Sequence, residues 1–326
     1  PTLADKQPVP PHDPAYGTTR KDSIMPIRSQ LFIYLTVCAA FCFGVQFATA
    51  ADKDTKKPAA VTLRYQFKPG ETLCWEVVHR GKVSATVSGT TQDTEMTSRS
   101  LKLWRVADVQ SDGTATFVYS VDDVKMRQKL TGRKEIRYNS KTDKKAPGGF
   151  EDVAKAVGKP LSKITIDTRG KVVQRDRVLK SPFNENKGQL TVPLPEKPVT
   201  VGDTWSEPHE VAVPLETGGI KRVQTLQKYK LKNLKTGVAT ILVETQILTP
   251  ISEPAIEAKL IQQASRGRIR FDVDAGRILS QNIDLDKRVV GFRGQASSLH
   301  YLTSFEEKLI EAPVSTASRA AETKRK

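Results

Sequence analysis

The residues equipped for chemistry are few and scattered. His79, His209 and His300 lie in the body of the chain, and none stands two or four positions from another His or Cys, so no metal-ligand spacing is written. His209 and Glu210 are adjacent, but neighbours along a strand point to opposite faces and cannot share a proton or a ligand. No serine sits in a Gly-x-Ser-x-Gly turn that would expose an activated hydroxyl. Asp272 and Asp274, ahead of Gly276, start like a calcium loop, yet the third acid and the closing bidentate Glu are missing. Glu71 and Asp203 each follow a glycine and read as turn residues at strand entrances rather than as a carboxylate pair flanking a cleft. No catalytic residue, metal or cofactor is assigned.

Two other sets suit binding. Arg266, Arg268 and Arg270 alternate with Gly and Ile, so on a strand they share one face and form a cationic stripe able to grip a polyanion. Trp75, Trp104 and Trp205 are large apolar side chains in a protein with only 6% aromatic residues. They either fill the core or line an apolar hollow for a ligand.

The elements that must position these residues are strands. Runs rich in Val, Ile, Thr and aromatics alternate with polar residues over 101–109, 114–121, 238–248, 267–273, 277–285 and 297–305. Asp112-Gly113 is expected to close a tight hairpin with positive φ at both residues, and 235–237 occupies the equivalent place later. Pro69-Gly70-Glu71-Thr72-Leu73 is echoed by Val201-Gly202-Asp203-Thr204-Trp205. The strand, Asp-Gly turn and strand of 164–172 are echoed by 269–278. These echoes imply a duplication, with a first β unit at 61–190, a Pro-rich connector at 191–198 and a second unit at 199–308. The expected fold is mainly β: two related antiparallel units, as a sandwich or as curved half-barrels, with one short helix at 150–157. The stretch 255–264 fits helix or strand equally.

The uncharged run 31–48 follows Arg28 and ends in Ala48-Thr49-Ala50, the pattern of a signal peptide over 25–50. Residues 1–24 form a polar, Pro-rich leader, read as a start-site artefact, and 311–326 a disordered tail. An N-terminal anchor left uncleaved is the alternative, since 18 apolar residues approach the length of a span. Cleavage would leave Cys74 alone, without an internal disulfide partner. The chain carries 52 basic against 36 acidic residues; removing 1–50 takes away 4 basic and 3 acidic, leaving a net charge near +15. That field favours polyanions, although the cations are interspersed with acids and no specific nucleic-acid partner is implied.

LRYQFKPGETL at 63–73, GDTW at 202–205, SDGTATF at 111–117 and DLDKRVVGFRGQASSLHYLTSFEEKL at 284–309 together resemble a domain-of-unknown-function family of exported bacterial proteins, mainly of planctomycete type. The resemblance implies a β-rich fold and an extracytoplasmic location, with no activity and no catalytic residues to carry over. The expected function is therefore an exported, non-catalytic binding protein for an apolar or amphipathic ligand, such as a lipid, or for an envelope polymer. A structural surface protein that binds polyanions is the first alternative, and an extracytoplasmic hydrolase the second. Membrane contact is expected only through the signal segment, if it is left uncleaved. Oligomeric state is not legible.

Overall fold

A computed structural model describes residues 60–179, 191–216 and 218–312, all within one compact unit. The expected leader, signal peptide and tail beyond residue 312 lie outside them. The described chain is mostly strand, as the alternation predicts. Its strands are β1 (Thr72–Val87), β2 (Thr90–Val109), β3 (Ala115–Leu130), β4 (Ile136–Asn139), β5 (Pro160–Ile166), β6 (Val172–Arg177), β7 (Thr204–Pro214), β8 (Ile220–Lys235), β9 (Val238–Ile247), β10 (Arg266–Asp272), β11 (Arg277–Val290) and β12 (Ser298–Ile310).

They form one open antiparallel sheet in the order β6-β5-β3-β2-β1-β12-β11-β10-β9-β8-β7, with β4 added beside β3. Strands from the early and late parts of the described chain thus meet edge to edge at β1 and β12 in one sheet, with no second sheet stacked on it among the described residues. Helix is limited among the described residues to α1 (Glu151–Ala156), inside the expected 150–157, α2 (Pro254–Leu260) and a short 3-10 turn at Ile261–Gln263. Pro254 at its first turn settles the ambiguous 255–264 toward helix, because proline's fixed φ suits that position and its missing N–H costs nothing there.

The sheet curls. Although β7 and β11 are separated by three strands, both touch α2, whose Ile256 and Leu260 pack on Val213 and Val223. Two extended segments, 60–71 and 191–203, cross beneath the curl and hydrogen-bond each other at Val61 and Val199. Leu63, Tyr65, Val192 and Leu194 from these straps fill one core cluster against β8–β11; Phe67 links it to a second built on Trp75, Trp104, Phe117 and α1. Tyr65 donates its N–H to Thr168 O, and Gln66 donates to Gly276 O, so adjacent strap residues tie down the two echoed turns. Gly170 and Gly276 in those turns have φ of +81° and +61°, and a Cβ would sit 2.5 Å from Tyr65 or Gln66, so neither admits a side chain.

One turn differs from expectation. At 110–113 a hydrogen-bonded turn carries positive φ at Gly113 but not at Asp112, whose carboxylate instead accepts the Thr114 N–H. The primed turns are Ser88-Gly89 and Thr236-Gly237, with both residues at positive φ.

Candidate functional site

On β10 the alternation works as read: Ile269 and Phe271 point into the core while Arg266, Arg268 and Arg270 stand exposed on the other face. Register then decides their neighbours. Arg266 lies between Glu244 of β9 and Asp284 of β11, Arg268 between Leu242 and Asn282, and Arg270 between Thr240 and Ser280. One strand further, β8 contributes Lys228 opposite Glu244 and Lys230 opposite Leu242. On the inward side, Gly267 lets the β11 backbone come so near that a Cβ would fall 2.2 Å from Asn282 O.

These outward side chains line a trough of about 980 Å³ across β7–β11. Five cations, Lys228, Lys230, Arg266, Arg268 and Arg270, face two carboxylates, Glu244 and Asp284. Among the described residues none of the five cations has an ion-pair or hydrogen-bond partner, so their donors are turned to solvent. An anion laid across them would meet a row of guanidinium forks without first breaking internal salt bridges.

The three tryptophans part company. Trp205 is half-buried at the β7 edge on the inward face, paired and stacked with Tyr229 at 5.5 Å and anchored by its Nε1–H to the strap at Pro193 O at 2.8 Å, so its ring lies on the face opposite the arginines, where Thr204 and Ser206 stand beside the trough instead. Trp75 and Trp104 lie inside the second core cluster, each 2% exposed, with ring centroids 4.9 Å apart. Trp75 donates to Ile278 O at 3.1 Å, whereas the buried Nε1 of Trp104 has no partner.

Glu71 and Asp203 hold turns, as their positions implied: Glu71 accepts the Lys68 N–H and Asp203 the Thr200 N–H, each at 2.8 Å. Glu71 also pairs with Arg277 at 3.2 Å. Asp272 accepts the Ala275 N–H at 2.8 Å, again a turn role. His300 contacts Asp286 at 2.7 Å through Nε2, and burial lowers the proton affinity of the His79 imidazole on the inner face. Among the described residues no three His, Cys, Asp or Glu side chains converge on one point. The Cys74 thiol is buried, and desolvation, with the Asp122 charge, pushes it up to about 11.

Two features escaped the sequence reading. Lys228 and Lys230 were legible in principle, as period-two cations in KYKLK. A buried pair, Lys102 with Glu307, was not, because only the β1–β12 junction brings residues so distant in sequence together. The Lys102 ammonium lies 4.7 Å from the Trp75 ring centre and 5.2 Å from that of Trp104, and the second Glu307 oxygen accepts from Gln281 Nε2.

No family model matches the chain, and neither does any curated protein. Among solved structures it is similar to that of lipovitellin, described for its lipid–protein interactions, at 13% identity and a TM-score of 0.38 over 77% of this chain and 26% of that one. The chain thus spans about a quarter of the lipovitellin chain. It is also similar to a DUF1329 family protein from Desulfovibrio piger, at 12% identity and a TM-score of 0.14 over 74% of this chain and 88% of the other. Among the described residues no helix is long and apolar enough to cross a membrane.

Proposed function

We propose that the protein works outside the cytoplasm as a non-catalytic binding protein for an anionic amphipathic ligand, a lipid or lipid-bearing envelope component, held in the trough over β7–β11. The observation that carries this reading is the unpaired cationic column of Arg266, Arg268 and Arg270, flanked by Lys228 and Lys230. Unpaired basic residues in one hollow favour a multiply charged head group, at roughly 1 kcal/mol for each Lys or Arg near an anionic surface. Location outside the cytoplasm rests on the 25–50 signal pattern and on the resemblance to an exported family of unknown function. The duplication that gave the two echoed halves belongs to the same reading.

Sedimentation with vesicles tests it. Binding to vesicles containing phosphatidylglycerol, with none to pure phosphatidylcholine, is expected. Equal retention on both, or on neither, would remove the anionic-lipid reading.

The same column also favours the surface-protein alternative, in which the partner is a polyanion without an acyl chain. A soluble polyanion that matches vesicles in affinity, charge for charge, would point there, since no contribution from an acyl chain would then be visible.

A further inference from the structure

The trough does not end at β11. A second hollow of about 480 Å³ adjoins it on the same outward face, and Arg270, Ser280 and Asn282 line both. Register fixes its far side: Ser280 of β11 lies between Arg270 of β10 and Lys308 of β12, and Lys308 in turn lies opposite Glu76 of β1. Arg270 and Lys308 are exposed, and among the described residues neither side chain has an ion-pair or hydrogen-bond partner. The Ser280 hydroxyl and the Asn282 side-chain amide are equally unengaged there.

The carboxylates around this hollow, by contrast, are all occupied. Glu76 accepts from Arg99 Nε at 2.7 Å, Glu306 accepts from Arg80 at 2.6 Å, and Glu307 turns inward to Lys102 and Gln281. Its acids are thus neutralised from other strands while its two cations are free. Arg266, at the far end of the column, stands instead between the unpaired carboxylates Glu244 and Asp284. An incoming anion therefore meets less repulsion at the Arg270 end. Two strand spacings, about 10 Å, separate the backbones at Arg270 and Lys308. Their long side chains can close that gap onto one tetrahedral group from opposite sides, with the Ser280 hydroxyl and the Asn282 amide as donors between them. A phosphomonoester suits this set, because it carries about −1.5 to −2 charge at pH 7 and three strong acceptor oxygens, and a phosphodiester has less of both.

We propose that Arg270, Ser280, Asn282 and Lys308 form a phosphomonoester station at the margin of the trough, so that the preferred lipid head group ends in a terminal phosphate. The station rests on the reading of the trough as an anionic-lipid site and narrows the head group that the trough takes. Arg266, Arg268 and the two lysines of β8 then face neighbouring anionic groups of the same surface.

Vesicles matched in surface potential, containing either phosphatidic acid or phosphatidylglycerol, separate the station from the trough. The full-length wild type is expected to bind the phosphatidic acid vesicles about fivefold more tightly, the factor that one further basic residue supplies near an anionic surface. Equal affinity for the two would overturn the station and leave the trough reading standing, whereas binding to neither would remove the trough reading and the station with it. Lys308→Gln is expected to erase the preference and Lys308→Arg to keep it. Because Lys308 is exposed on β12, neither change is expected to move the unfolding midpoint. Arg266→Gln is the contrast: affinity for both vesicles is expected to fall while the preference stays. A preference that survives Lys308→Gln would overturn the proposal, as would one lost in Arg266→Gln. Glycerol 3-phosphate carries the same group without acyl chains. It is expected to displace the protein from phosphatidic acid vesicles only in large excess, and displacement at equal phosphate concentration would overturn the lipid in favour of a soluble phosphate ester.

Discussion

Val106 and Leu231 occupy the same place in two copies of one turn. Val106 O accepts the Gly70 N–H at 3.0 Å while its N–H goes to Glu71 O at 2.9 Å; Leu231 O accepts from Gly202 at 2.8 Å while its N–H goes to Asp203 O at 3.0 Å. A ladder irregularity follows each, between Val106 and Asp108 and between Leu231 and Asn233. Further on, β5–β6 slips between Thr165 and Ile166, and β10–β11 between Arg270 and Phe271, at echoed positions. Bulges interrupt the ladder at specific places and tend to be kept once present, so paired bulges at echoed positions are what a duplication would leave.

Gly70→Ala and Gly202→Ala are therefore expected to destabilise by similar mechanisms. Neither glycine has a neighbour within 4 Å of an added Cβ, so the cost is that of positive φ alone, about 1–2 kcal/mol. Because Gly202, at φ +104°, lies farther from the left-handed well than Gly70 at +78°, its substitution is expected to cost more. Urea unfolding midpoints of the two variants provide the comparison, and equal midpoints would contradict it.

The two buried tryptophans separate packing from hydrogen bonding. Trp75→Phe loses the bond to Ile278 O as well as ring area, while Trp104→Phe loses area only. Trp75→Phe is expected to be the more destabilising by about 1 kcal/mol, the usual net value of such a bond. The reverse order in chemical denaturation would show that the orphan indole N–H is not idle.

Burial holds the His79 imidazole below its ordinary value of 6.5, so the folded state favours the neutral ring. The unfolded chain takes up the proton first as pH falls. The associated stability is present above 6.5 and is lost as pH drops through that value toward the lower folded one. Thermal midpoints are expected to fall more between pH 7.5 and 5.5 for the wild type than for His79→Leu. Parallel curves would mean that His79 carries none of the acid sensitivity.

Much of the fold was legible because strand chemistry is local. Alternation on β10 placed Ile269 and Phe271 inward and the arginines outward without any tertiary information. Gly170 and Gly276 marked their turns because only glycine tolerates the strap passing so close. What stayed hidden depends on sheet order. Nothing local tells that β1 pairs with β12, and so nothing foretold that the halves fuse into one sheet or that Lys102 meets Glu307. The tryptophans show the same division: each was legible as a strand residue, but which two would be sealed in and which would stay half-exposed at the β7 edge was set by the straps and the curl.

The arginine column yields the sharpest test of binding. Its side chains are exposed on a strand whose core contacts come from Ile269 and Phe271, so replacing all three with Gln is expected to leave the unfolding midpoint nearly unchanged. Binding to anionic vesicles is expected to weaken by about 3 kcal/mol, on the order of a hundredfold, if each cation contributes roughly 1 kcal/mol. The dependence of affinity on salt should flatten as well, because fewer counterions are released on contact. Replacement by Lys keeps the charge and is expected to retain most of the affinity while losing the bidentate share that guanidinium geometry adds. Vesicle sedimentation across a salt series reads both effects. An unchanged slope in the Gln variant would place the cationic contact elsewhere on the sheet, whereas loss in the Gln and Lys variants alike would assign the column a geometric role in place of an electrostatic one.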